Sequence, residues 1–247
     1  MGPIELELRV TKKTKGAIPR MQSTVDIEEI RSLLSGMDEV LAIAHAAVEP
    51  FEWRIRESGF VGLIRMIIGQ QVSVAAADGI WNKFKTGVGN VTSKDLIKFD
   101  VDTLESFGLS RPKAMYVLGI AEAEASGAID FAHLTELRDE EAIERLTALR
   151  GVGRWTAEVY LMFGEGRTDL FPAGDLALQE GFRVAARKTQ RPTEKALYAR
   201  AERWRPNRGV AANLLWSYYR GVRSGQVVLP NPMLLRPKKK SMNKKRP

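Results

Sequence analysis

The segment Leu149-Arg150-Gly151-Val152-Gly153-Arg154-Trp155-Thr156-Ala157, with Phe171-Pro172-Ala173-Gly174-Asp175 downstream, holds the residue types most able to do chemistry. Gly151 and Gly153 allow the positive φ and close approach that a tight hairpin needs. A helix opening directly behind them points its unpaired first N–H groups at whatever lies in front, and a phosphate is the natural ligand there. A GxG pair also serves simply to turn the chain between two helices. Asp175 sits in a turn shaped by Pro172 and Gly174, just before an apolar run through Leu176, Leu178 and Phe182. In that place an aspartate is an N-cap, a reactive acid, or both. The pairing suggests a grip on a DNA backbone coupled to a reactive carboxylate.

The elements that must position these groups are helices, because apolar residues recur at helical spacing along most of the chain and period-two strands are few. Asp26 is placed as the N-cap of a helix through Ile27, Ile30, Leu33 and Leu34, and Asp38 as that of one through Val40, Leu41, Ile43 and Ala44. Phe60, Leu63, Ile64, Ile67 and Ile68 form a stripe that stops at Gly69. Ser73 caps the next helix, through Val74, Ala77, Ile80, Trp81 and Phe84, so Gln70-Gln71-Val72 is a short interhelical loop. Further helices are expected over about 111–125, 140–149, 155–163, 176–186, 193–204 and 207–222, with Gln226 to Pro230 extended against the body. The fold class is all-α, a compact bundle with a cleft.

At 247 residues the chain can bury one sizeable core or two lobes sharing a cleft. It has no cysteine, which excludes disulfides, thiolate nucleophiles, cysteine zinc sites and cysteine-ligated iron–sulfur clusters. His45 and His133 are too isolated for a metal pair. The net charge of +8 resides in the ends: five basic against two acidic residues in 1–20, and seven basic against none in 236–247, which leaves the body slightly acidic. Residues 1–20 read as a basic N-terminal segment, 21–232 as the folded body and 233–247 as a lysine-rich tail. The run Arg236 to Arg246 suits either a nonspecific DNA arm or a solvated tail. In the body a DNA face must come from clustering, with Arg150, Arg154, Arg183, Arg187 and Lys188 as candidates. No membrane span or secretory leader is indicated.

The hairpin and Asp175 together resemble the helix-hairpin-helix (HhH-GPD) DNA glycosylase superfamily, in particular its alkylated-base branch related to 3-methyladenine DNA glycosylase II. Ile68-Gly69-Gln70-Gln71-Val72-Ser73-Val74-Ala75 is similar to the branch's DNA-wedging segment, and Trp204-Arg205-Pro206 with the run to Trp216 to its C-terminal helices. The resemblance spans about Ile27 to Pro232. It implies a two-lobed helical bundle with a helix-hairpin-helix motif and a central active-site cleft. It also implies that Asp175 is the catalytic acid, stabilising the oxocarbenium-like sugar that forms as the base departs. Trp155 and Trp216 match base-pocket positions, where aromatic faces stack on an electron-poor alkylated ring; without the resemblance both read first as core aromatics on amphipathic helices.

The same resemblance makes Gln71 the side chain that fills the gap left by a flipped base, with Gln70 sharing that role, and makes Gly151, Gly153 and Arg154 DNA contacts; read singly, each glutamine serves as well to satisfy backbone groups at the interhelical turn. In strand-cutting relatives the slot of Trp155 holds a lysine that forms a Schiff base; an indole cannot do so, which implies a monofunctional enzyme. Backbone carbonyls of Thr147, Leu149 and Val152 are implied ligands of a structural Na+ or K+; no organic cofactor is expected. The implied partner is double-stranded DNA carrying alkylated bases, met by a monomer in the bacterial cytoplasm at the nucleoid, or in a nucleus. Two rivals remain open from the sequence: a noncatalytic helix-hairpin-helix DNA-binding scaffold, and a glycosylase for mismatched or oxidised bases.

Overall fold

The computed structural model describes residues 24–228, so the expected N-terminal basic segment and the lysine-rich tail lie outside the described residues. Within them the chain is helical, with no β-strand. Two groups of helices form. The first takes the two ends of the described chain: α1 (Thr24–Met37), α2 (Glu39–Ala47), α11 (Leu176–Ala185), α12 (Glu194–Ala201) and α13 (Arg208–Ser224). The second takes the middle: α3 (Gly59–Gly69), α4 (Val74–Val88), α5 (Ser93–Leu96), α6 (Val101–Ser106), α7 (Arg111–Ala125), α8 (Phe131–Leu134), α9 (Asp139–Thr147) and α10 (Arg154–Gly164). In the first, α2, α11 and α13 pack on one another; in the second, α3 is the hub against α4, α7, α8 and α10.

The chain crosses between the groups twice. Residues 48–58 run across the C-terminal end of α10, where the Trp53 indole N–H donates to the Met162 carbonyl at 3.1 Å and the Arg56 backbone N–H to that of Phe163 at 2.7 Å. Residues 165–175 return from α10 to α11. That second crossing is anchored by ionic contacts: fully buried Arg167 reaches Asp139 at 3.0 Å, while Arg205 and Arg208 reach Asp169 at 2.6 and 2.9 Å. Asp175 stands at the end of this crossing, where the two groups meet.

Most helix boundaries follow the periodicity. The stripe Phe60 to Ile68 is buried on α3, Ser73 caps α4 by accepting from the Ala76 N–H at 3.3 Å, and Asp38 caps α2 by accepting from the Val40 N–H at 2.9 Å. Asp38 does more than cap, since its other oxygen accepts from the Trp204 indole and pairs with Arg200. Three expectations change. Helix α1 already includes Thr24, so Asp26 lies within the helix rather than at its N-cap; an acidic residue ahead of an apolar stripe gives the same sequence signal for both. The helix expected over 193–204 is α12 followed by a 3₁₀ turn, Glu202–Trp204, since Pro206 has no N–H with which to carry the helix on. The short helices α5, α6 and α8, capped by Thr92, Asp100 and Asp130, were not expected, because four to six residues are too few for a period to show. Val227 lies against the body, its N–H donating to the Gly221 carbonyl at 3.0 Å; Leu229 and Pro230 lie outside the described residues.

Candidate active site and nucleic-acid interface

Asp175 is the N-cap of α11, and its turn is held from behind. Its own N–H donates to the Pro172 carbonyl at 2.9 Å, and the buried Gln179 side chain, one turn into α11, donates to the Ala173 carbonyl at 2.8 Å. The carboxylate accepts three further hydrogen bonds. Oδ1 takes the Leu178 backbone N–H at 2.8 Å and the Trp216 indole N–H at 3.0 Å. Oδ2 takes the Trp155 indole N–H at 2.9 Å. The cap and acid readings of Asp175 therefore describe different oxygens of one group: Oδ1 is tied to α11 and α13, and Oδ2 faces a solvent-exposed indole.

The two tryptophans reach Asp175 from opposite sides of the seam, Trp155 from the first turn of α10 and Trp216 from the middle of α13. Trp216 is half-buried and backed by aromatic rings, with Phe163 at 6.0 Å and Trp53 beyond it at 5.8 Å. Trp155 is 40% exposed, which is unusual for an indole and leaves its face open to a ligand. A flat, electron-poor ring stacked on the exposed indole of Trp155 would lie beside the carboxylate that this indole holds.

In the hairpin between α9 and α10 the two glycines differ. Gly151 has φ +92°, and a Cβ there would run into the Tyr116 ring, so both conformation and space demand glycine. Gly153 has an ordinary φ of −86° and open space where a Cβ would be. The expectation of positive φ thus holds for Gly151 alone; Gly153 keeps the approach to the start of α10 clear. It is also the N-cap of that helix and carries no side chain to satisfy its first N–H groups. That opening suits a phosphate oxygen. The carbonyls of Thr147 and Val152 receive no backbone N–H among the described residues, and that of Leu149 accepts from Val152 at 3.1 Å. Carbonyl oxygens in the hairpin that follows α9 are hard donors, the type a Na+ or K+ takes.

Gln71, at the tip of the loop between α3 and α4, is exposed and has φ +59°, a rare conformation for a residue with a side chain. Gln70, expected to share its wedging role, is turned onto the hairpin instead: its Nε2 donates to the Thr156 hydroxyl at 3.2 Å and to the Gly151 carbonyl at 3.4 Å. Of the cationic residues expected to cluster at the cleft, Arg183 is buried, paired with Glu180 and donating to the Lys188 carbonyl, so it belongs to the core rather than a DNA face. Arg150, Arg187 and Lys188 are at least partly exposed.

Arg154, though part of its side chain is exposed, is clasped by its neighbours. It forks onto Glu140 at 2.8 and 3.0 Å, approaches the buried Glu158 at 3.2 Å, donates to the Tyr198 hydroxyl at 3.2 Å and lies over that ring. The Glu140 carboxylate beside it raises its already high pKa further. Tyr198 in turn donates to Glu158 at 2.8 Å. Burial pushes the Glu158 carboxyl up to about 7, against the pull of Tyr198 and Arg154. Gln179, Glu158 and Tyr198 carry no motif and pass unnoticed in the sequence. Among the described residues no group of His, Asp and Glu side chains could hold a metal ion, and no helix is long and apolar enough to cross a membrane.

Residues 64–206 match the HhH-GPD superfamily of base excision DNA repair proteins. A Schizosaccharomyces pombe protein, DNA-3-methyladenine glycosylase 1, is 35% identical over 210 residues, covering 78% of this chain and 92% of its own. Among solved structures, the S. pombe 3-methyladenine DNA glycosylase in complex with abasic DNA superposes with a TM-score of 0.67 at 33% identity, covering 76% of this chain and 95% of that one. A DNA-3-methyladenine glycosidase from Bacillus halodurans superposes with a TM-score of 0.71 at 26% identity, covering 85% and 95%.

Proposed function

The chain belongs to the HhH-GPD superfamily of base excision DNA repair proteins, and from that membership and the geometry at its seam we propose a monofunctional glycosylase that hydrolyses alkylated bases from duplex DNA. The observation that carries this is the Asp175 carboxylate held between two indoles, directly beside the opening of α10. A noncatalytic DNA-binding scaffold has no use for that arrangement. The aromatic flanks favour a cationic alkylpurine over a neutral oxidised or mismatched base.

A phosphate next to the lesion docks at the N–H groups of α10, which Gly153 leaves approachable, while Gln71 enters the stack in place of the flipped nucleotide. The base lies against Trp155 and Trp216. An alkylated purine already carries positive charge, so it departs without a strong general acid. Charge builds on the deoxyribose as the bond breaks, and Oδ2 of Asp175, the oxygen not bound to α11, stabilises that charge and orients the attacking water. Trp155 has no amine to form an imine with the sugar, so the strand stays intact. A Na+ or K+ held by the carbonyls of Thr147, Leu149 and Val152 would offset their negative ends and the phosphate beside them. All of these residues come from one chain, which we read as acting as a monomer wherever the DNA is held, nucleoid or nucleus.

The test is a panel of labelled duplexes, each with one 3-methyladenine, 7-methylguanine or 8-oxoguanine, quenched either at neutral pH or with hot alkali. Methylated bases should be released, leaving strands cut only by alkali and no protein trapped by borohydride. Strand breaks at neutral pH with a trapped complex, or excision of 8-oxoguanine alone, would refute the reading.

A further inference from the structure

Lys113 lies on the first turn of α7, one turn before Tyr116, so the two side chains share a face of that helix. Its ammonium donates to the Ile68 carbonyl at 2.7 Å and the Gln70 carbonyl at 2.8 Å. Ile68 is in the last turn of α3, where carbonyls lack helical partners, and Gln70 immediately precedes the left-handed Gln71. Burial lowers the Lys113 pKa, and no carboxylate among the described residues pairs with it. An ammonium held partly out of water on two backbone carbonyls is an anchor for the backbone it holds.

We propose that Lys113 is the positioning residue of the wedge: anchored on Ile68 and Gln70, it fixes the backbone from which Gln71 projects and keeps that tip in register with the phosphate-binding hairpin. The register follows from a closed set of contacts. Lys113 holds the loop, Tyr116 on the same face of α7 packs against Gly151 of the hairpin, and the Gln70 side chain ties the loop to Gly151 and Thr156. A non-glycine residue at φ +59° relaxes unless its flanks are held. With the anchor gone, Gln71 still exists but no longer stands at a fixed distance from the gripped phosphate.

This inference rests on the reading of Gln71 as the wedge, and the experiment separates the two. Excision of 7-methylguanine is measured for the parent, Lys113→Met, Lys113→Arg, Gln71→Ala and the Lys113→Met/Gln71→Ala double variant, on a duplex and on the same strand alone, with thermal melts alongside. Only a duplex leaves a hole to fill. Lys113→Met should lower the duplex-to-single-strand ratio about 10-fold, as expected for two lost hydrogen bonds to a partly buried cation. Lys113→Arg should retain most of the ratio, and the double variant should be no worse than Gln71→Ala. A lowered melting temperature with an unchanged ratio reduces Lys113 to a structural cap and overturns the proposal. Additive losses in the double variant overturn it too, because Lys113 would then act apart from Gln71. If Gln71→Ala itself leaves the ratio at the parent value, the wedge reading has failed.

Discussion

Gly151 and Gly153 sit two residues apart in one motif, yet the structure gives them separate work. Gly151 is fixed by φ +92° and the Tyr116 ring, so Gly151→Ala adds backbone strain and a steric clash, together about 2–4 kcal/mol of lost stability. Gly153→Ala meets nothing in the protein and should change stability by less than ~1 kcal/mol, while its methyl stands where a phosphate would approach and should weaken duplex binding about 10-fold. Chemical denaturation and binding titrations on both variants check this; equal effects of the two on stability would contradict it. The motif was legible in the sequence, and so was Asp175 as a cap before a helix. What could not be read is which oxygen of Asp175 faces outward, or that Gln70 turns inward while Gln71 turns out. Neighbouring residues of one type in a loop differ only by backbone dihedrals that composition does not encode.

At the scale of elements, α10 is set by a clasp that no local pattern announces. Glu158 is on α10 and Tyr198 on α12, forty positions apart, with Glu140 on α9 closing the ring around Arg154. The helices were readable because a stripe such as Phe60 to Ile68 repeats within one window; this clasp joins three windows, and only packing brings it together. The clasp has a pH signature. Burial raises the folded Glu158 pKa from its ordinary value near 4.5 to about 7, so its contribution to stability is full below about pH 4.5 and declines as pH rises to about 7. Glu158→Gln removes that titration. The melting temperature of the variant minus that of the parent should therefore become more positive from pH 4.5 to pH 7 and stay level above it; a difference that is flat over this range would place the Glu158 carboxyl at its ordinary value.

Over the whole molecule, the site exists because the middle of the chain folds as one group of helices and the two ends as another. Trp155 comes from the middle group and Trp216 from the group formed by the ends, and Asp175 lies at the crossing between them. Periodicity showed the helices but could not show this division, since α1 and α2 join α11 to α13 across more than a hundred intervening residues. The central claim is that the carboxylate at this junction stabilises the sugar as the base leaves. Single-turnover excision of 7-methylguanine by Asp175→Asn tests it most directly, with binding to an abasic-site duplex and a thermal melt as controls, because asparagine retains the cap to Leu178 without the charge. The account predicts a rate about 100-fold or more below the parent, with duplex affinity and melting temperature close to it. A variant that binds, folds and excises at the parent rate would leave Asp175 a helix cap and place the chemistry elsewhere.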